Sequence, residues 1–553
     1  MNISEQLAQG FQHHQDGALA QAKAIYESVL QVEPNNPDAL YLIGTLALQT
    51  GHEQPGTQYL IHAINNGCKE LGLFINLSKT LRSQNNWSDA LVVLQKGNRL
   101  HPNRAEILIP LGITHRELSQ FDESLRALTL ALEVNGNAPD AHIEIARTYQ
   151  SIGTNDKAET HFKQAVSLTP NVTTHGFYAT FLSDRGREDE AIEEFRNAVT
   201  FAPQSEQALN QFGYHLYTCG QIEESIDAFE RCLKINPNNA ETHGLYAFPL
   251  LLKGEYAKGW KEYEWRFKTP SFPPPPLKLD SPTWHGEPLE GKSILLIGEQ
   301  GFGDTFQFVR FAAQLKAMGA NVLVAAQAPA VELLKSTPGV DAVIAFSDTD
   351  VPAHDYHVYM MSLPQRLGVT LATIPQSGPY LYPDPDRVAT WKDYFASYDT
   401  LKVGIVWSGN PEQRNNVKRS CPLAALSPLL GVDTVQLFSL AKDYDGAEGP
   451  LPPEIIDLGG RINSFSDTAA IIANLDLVIS VCTSTAHLAG ALGCPVWVLL
   501  AASADWRWLL NRHDSPWYPT ARLFRQSELH NWNHVFQKVA QDLASQERQK
   551  LLT

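Results

Sequence analysis

Three stretches carry side chains whose types and spacing could do chemistry. The first is Ile294-Leu295-Leu296-Ile297-Gly298-Glu299-Gln300-Gly301-Phe302-Gly303-Asp304-Thr305. A short apolar run bounded by glycines predicts a buried strand, and the turn after it predicts a helix start. The turn nearly spells a phosphate-binding loop. Asp304 stands where that motif needs lysine, and a carboxylate there repels phosphate, so an ATPase or kinase of that type is excluded. The dinucleotide fingerprint fails too, because Phe306 takes its third glycine position. Two roles stay open for Asp304: capping a helix start, or acting as a general base beside a cleft.

The second stretch runs from Ile479 to Gly493 and contains Cys482-Thr483-Ser484-Thr485-Ala486-His487. A buried strand ends in a hydroxyl cluster and a small-residue helix follows. Helix N-termini offer free N–H donors and positive potential to phosphate oxygens. Thr483, Ser484 and Thr485 would add hydroxyl donors, or else simply cap the helix. His487 would touch phosphate or sugar, or else sit as a satisfied core histidine. The third stretch, Trp407-Ser408-Gly409-Asn410 through Arg414, Lys418, Arg419 and Ser420, places three cations after another predicted strand. Cations beside a cleft bind anions, and a solvated surface loop is the other reading. Asp-x-Asp occurs at Asp348/Asp350, Asp384/Asp386 and Asp443/Asp445, so the pattern is too cheap to assign a metal.

These stretches need elements to hold them. From Lys292 onward, apolar runs alternate with helical periodicity, which predicts parallel sheets with helical crossovers. Strands are expected at 294–297, 321–326, 342–346, 355–360, 402–407, 434–440, 477–481 and 496–500. A proline-bearing stretch at 375–400 interrupts the rhythm and splits it into two Rossmann-like lobes, 292–385 and 386–553. A cleft between facing strand ends would take a nucleotide.

Before Lys292 the chain repeats. Pro34, Pro102 and Pro170 are two 34-residue periods apart, and Pro203 and Pro237 continue the series. Gly10, Gly44, Gly112, Ala146, Ala179, Gly213 and Ala247 share one phase; Ala22, Ala90, Ala158 and Ala191 share another. Tyr26, Phe162, Phe195, Phe229 and Tyr263 follow four residues after that second phase. Small residues let two antiparallel helices approach, an aromatic fills the hole beside them, and proline ends the second helix. This resembles the tetratricopeptide repeat, in about eight units over residues 1–268. Such an α-solenoid exposes a concave surface suited to a protein or peptide partner. Residues 269–291, with Pro270, Pro273, Pro274, Pro275, Pro276, Pro282 and Pro288, form a stiff linker or strap.

A formal charge of −17 argues against a general nucleic-acid binder. The six cysteines lack paired spacing, and the N-terminus lacks the basic and apolar regions of a secretory signal. No apolar run reaches the length of a membrane span. A cytoplasmic setting is expected.

Together the motifs resemble GT-B glycosyltransferases. More closely, the chain resembles bacterial tetratricopeptide-repeat proteins whose C-terminal domain is similar to family 9 heptosyltransferases. The match rests on Gly298–Thr305, Gly404–Asn410, Thr483–Gly493, Asp505-Trp506-Arg507-Trp508-Leu509-Leu510 and Ser515-Pro516-Trp517-Tyr518-Pro519. The resemblance implies inverting, metal-independent sugar transfer from a nucleotide sugar, without a cofactor. It implies Asp304 as base, with Gly301, Gly303, Ser408, Asn410, Arg414, Lys418, Arg419, Thr483, Ser484, Thr485 and His487 toward the donor. One departure stands out: the family usually has aspartate where this chain has Cys482. Either the donor differs or the activity is altered. Repeat-plus-transferase proteins that glycosylate flagellin share this layout, so Ser/Thr hydroxyls of a protein docked by the repeats are the expected acceptor. A CMP-linked nonulosonic acid is one donor the resemblance allows. A heptosyltransferase of lipopolysaccharide assembly and a non-catalytic scaffold are the alternatives.

Overall fold

The computed structural model describes residues 2–376, 378–410, 416–442, 444, 446, 448–527 and 531–545. The chain divides into two units, Met1–Pro203 and Gln204–Thr553. The division falls inside the repeat series, whereas the sequence places the change of character after residue 268.

Among the described residues the first unit contains twelve helices, from Ile3–Gln15 to Glu188–Phe201, paired as antiparallel hairpins. The expected small-to-aromatic contacts are present. A Cβ on Gly10 would lie 2.7 Å from the Tyr26 ring, and one on Gly112 would lie 2.4 Å from Leu128. Ala22, Ala90 and Ala158 are fully buried. The hairpins that match the repeat weakly, Pro37–Gln49 with Glu53–Asn65 and Leu71–Ser83 with Trp87–Leu100, fold in the same way.

The second unit begins with four more helices of the series, Glu206–Thr218, Ile222–Ile235, Ala240–Lys253 and Tyr256–Tyr263. Two parallel sheets follow. The first contains β1 (Ser293–Ile297), β2 (Asn321–Ala326), β3 (Ala342–Ala345) and β4 (Tyr356–Tyr359), in the order β3-β2-β1-β4. The second contains β5 (Leu401–Val406), β6 (Val435–Ser439), β7 (Ile455–Asp457), β8 (Leu477–Val481), β9 (Val496–Leu500) and β10 (Ala521–Arg525), in the order β10-β9-β8-β5-β6-β7. Counted within its own sheet, the second reads 3-2-1-4-5-6, the doubly wound order. In each sheet the direction of winding reverses beside the first strand. Ligands of such sheets sit at that reversal, outside the carboxyl ends of the strands.

The proline-rich segment is docked. Thr283 forms a parallel bridge with His357, and Trp284 N–H donates to His357 O at 2.8 Å. The strap therefore shields the β4 edge. The aromatic run at the end of the repeats is a packed cap, as its composition suggests. Trp260 lies edge-on to Trp506 at 5.1 Å and to Phe308 at 5.9 Å, and Trp517 Nε1 donates to the Tyr256 hydroxyl at 2.9 Å. Large buried rings of this kind dominate a local core. Among the described residues, no helix is long and apolar enough to cross a membrane.

Candidate functional site

All three chemistry-bearing stretches fall at the two reversal points. The Gly298–Thr305 turn leaves β1 next to β4. The Trp407–Asn410 loop and the Cys482–His487 turn leave β5 and β8, which pair with each other.

The helix after the glycine turn starts at Phe302, three residues earlier than periodicity predicts. Asp304 thus lies in its first turn, where its Oδ2 accepts the Gly301 N–H at 2.9 Å. The capping role is therefore real. The same carboxylate also accepts a short hydrogen bond from Arg507, which arrives from the second lobe. Burial pushes the Asp304 carboxyl above the usual carboxylate range, against the pull of Arg507 and the Gly301 amide. Gly303 is required by packing: a Cβ there would lie 2.8 Å from His487 Cδ2. Helix 302–308 and helix Ser484–Ala491 meet at this point.

His487 is buried, its Nδ1 2.9 Å from the Tyr518 hydroxyl and its ring stacked on Trp508. Burial first, then Arg507, Arg310 and Arg419, hold it well below the usual imidazole range, so it is neutral at pH 7. Arg310 donates to neutral oxygens, including Trp517 O at 2.8 Å and the Tyr380 hydroxyl at 2.6 Å.

Thr483 stands at the N-cap position of helix 484–491 but makes no side-chain capping bond; its Oγ1 lies 3.0 Å from Ser480 Oγ, and Ser484 and Thr485 form the first turn. Arg419 Nη1 donates to Cys482 O at 3.2 Å, which draws Arg419 to the end of β8. Ser408 Oγ lies 3.2 Å from Ser420 Oγ, and Asn410 follows in the same loop. Arg414 and the side chain of Lys418 lie outside the described residues. The Cys482 thiol accepts Trp508 Nε1–H at 3.1 Å, and burial raises it to about 11.

A cleft of about 580 Å³ opens over the first lobe. Its floor takes one or more residues from the carboxyl end of each strand: Gly298, Glu299 and Gln300 beyond β1, Gln327 beyond β2, Phe346 beyond β3, and Tyr359 of β4. One wall is a face of helix 240–253, carrying Glu241, Gly244, Leu245 and Phe248 at helical spacing, and the strap from Thr269 to Pro276 forms another. A Cβ on Gly244 would meet nothing within 4 Å. Gln300 adopts a left-handed backbone (φ 59°), uncommon for a residue with a side chain, and donates to the Tyr263 hydroxyl at 2.5 Å. Gln327 Oε1 is buried with no partner among the described residues.

Sequence reading missed Arg507, Asp505, Gln307 and Arg310. An arginine set between two tryptophans, Trp506-Arg507-Trp508, was the available signal, since a cation there is either paired or bound to a ligand.

A tetratricopeptide repeat model matches residues 139–172 and 206–239. Protein FlbA of Caulobacter vibrioides is 26% identical over 500 residues, covering 78% of this chain and 82% of FlbA. The protein O-mannosyl-transferase TMTC3 of Mus musculus is 21% identical over 190 residues, 32% of this chain, and only 21% of TMTC3 is spanned. Among solved structures, a tetratricopeptide repeat protein from Parabacteroides merdae is 17% identical, with a TM-score of 0.39, covering 44% of this chain and 97% of that one. The chain carries tetratricopeptide repeats within a helical solenoid, followed by an α/β region of parallel sheets.

Proposed function

We propose that this chain is an inverting, metal-independent glycosyltransferase of the GT-B type, working in the cytoplasm. It would move a sugar from a nucleotide sugar to Ser/Thr hydroxyls of a protein held by the repeats, with flagellin the first acceptor to try. The observation that carries this reading is the cleft, whose floor is the strand ends of a Rossmann-like lobe and whose wall is a repeat helix. A polypeptide lying on that helix is delivered to the turn that holds Asp304. The orphaned Gln327 carbonyl offers an acceptor for a peptide N–H. Likeness over 32% of the chain to a protein O-mannosyl-transferase supports a transferase.

In this reading the donor nucleotide lies at the β5–β8 reversal, against Thr483–Thr485 and the loop bearing Ser408, Asn410, Arg414, Lys418 and Arg419. The acceptor oxygen bonds to the anomeric carbon as the bond from that carbon to the phosphate oxygen breaks. Asp304 takes the hydroxyl proton, and the nucleotide leaves with the electron pair. Guanidinium groups and helix N–H donors stabilise the departing charge. Cys482 favours a second reading, a non-catalytic scaffold, because a neutral thiol does not replace a carboxylate at a sugar or ribose.

Filling the cleft tests the first reading. Gly244→Phe places a ring in open space on a regular helix, so the fold and nucleotide affinity are expected to persist. Modification of a co-expressed acceptor, read by mass spectrometry, is expected to fall at least tenfold. Unchanged modification would remove the cleft from the acceptor path.

A further inference from the structure

Arg507 spends every nitrogen of its guanidinium on neighbours. Nε donates to Gln307 Oε1 at 2.6 Å, Nη1 to both Asp505 oxygens at 2.9 and 3.1 Å, and Nη2 to Asp304. Its side chain is only 9% exposed and lies over the Trp506 ring. Two carboxylates therefore share the Arg507 cation. The next residue, Trp508, touches both the Cys482 thiol and the His487 ring, so Arg507 is anchored beside the start of helix 484–491. Arg419 donates to Cys482 O in the turn before that helix, and Arg310 lies 5.0 Å from the Tyr518 ring, whose hydroxyl meets His487. A cluster of three arginines at a helix start fits a phosphate, and one of the three is already held by an acid of the opposite lobe.

We propose that Arg507 grips the phosphate of the nucleotide sugar, and that in the ligand-free protein the Asp304 carboxylate occupies its place. The inference rests on the transferase reading above. Binding of the nucleotide exchanges one anion for the other on Arg507. Asp505 keeps the guanidinium oriented through the exchange. Asp304, released from its counter-ion, retains the Gly301 N–H on one oxygen and turns the other to the acceptor hydroxyl. The exchange couples donor binding to base activation, so the base is masked until a donor is present.

Isothermal titration of the full chain with CMP, UDP, GDP and ADP tests this. If Asp304 competes for Arg507, Asp304→Asn should bind the preferred nucleotide about tenfold tighter, because a competent state populated at about 10% lowers apparent affinity by that factor. Arg507→Gln should bind it about tenfold or more weakly, and Asp304→Asn should give no tightening in the Arg507→Gln background. Asp304→Asn alone decides the matter should Arg507→Gln fail to fold, since it keeps shape and leaves the Arg507–Asp505 pair intact. Equal or weaker nucleotide binding by Asp304→Asn would overturn this inference while leaving the transferase reading in place. Failure of the wild-type chain to bind any of the four nucleotides would overturn both.

Discussion

Asp304→Asn is expected to lower sugar transfer by about 10²- to 10⁴-fold, the usual contribution of a positioned general base. The substitution keeps an oxygen to accept the Gly301 N–H, so the helix cap survives and loss of activity reports chemistry. The carboxyl is raised by burial, which strengthens it as a base near neutral pH. Transfer should therefore fall as pH drops through that raised value, since protonation removes the base. The acid limb should lie above the ordinary carboxylate range and disappear from the residual rate of Asp304→Asn. Rates of a single turnover between pH 5 and 8 check this; an asparagine variant with the full rate would assign Asp304 to capping alone.

The second large effect is on stability. Arg266, at the end of the repeat series, is 7% exposed and forks onto Glu299 with two bonds of 3.0 Å. It also donates to Ser362 Oγ at 2.8 Å and to Glu264 at 2.8 Å, while Glu299 accepts the Met361 N–H at 3.0 Å. The network ties the last repeat to the ends of β1 and β4 and forms part of the cleft floor. Arg266→Met leaves the Glu299 carboxylate buried without its cation, which should cost about 3–5 kcal/mol in urea unfolding of the full chain. Burial already raises Glu299, with Arg266 opposing. A raised carboxyl contributes stability at low pH and loses it as pH rises through the folded value. The penalty should accordingly be larger at pH 8 than at pH 5. Adding Glu299→Leu should recover most of the loss, because replacing both partners removes the uncompensated charge. A penalty below about 1 kcal/mol would show the pair to be solvated.

Elements with a strong period were legible in the sequence. The 34-residue phase located the small and aromatic positions, and apolar runs located β2, β8 and β9 to the residue. What escaped has physical reasons. Strand β7 is three residues long and carries no periodic signal. Strand β10, Ala521–Arg525, sits at a sheet edge, where Arg522 and Arg525 reduce its apolar character. Helix Pro385–Phe395 hid behind its own proline, which opens the helix after the Asp384 cap instead of breaking it. In the site, Asp304, His487 and the Thr483 turn were visible because each follows a strand. Arg507 was not, since its role depends on Asp304, Gln307 and Asp505 meeting across more than 200 residues of chain, between two lobes.

In the proposed reading this chain puts sugar on a protein hydroxyl. Intact-mass analysis of a flagellin co-expressed with the chain, in cells that make the donor, tests it most directly. Mass increments of one glycosyl unit, on peptides mapped to Ser or Thr, that vanish with Asp304→Asn are the predicted result. A flagellin of unmodified mass beside a folded, nucleotide-binding wild-type chain, or the same increments with Asp304→Asn, would contradict the account.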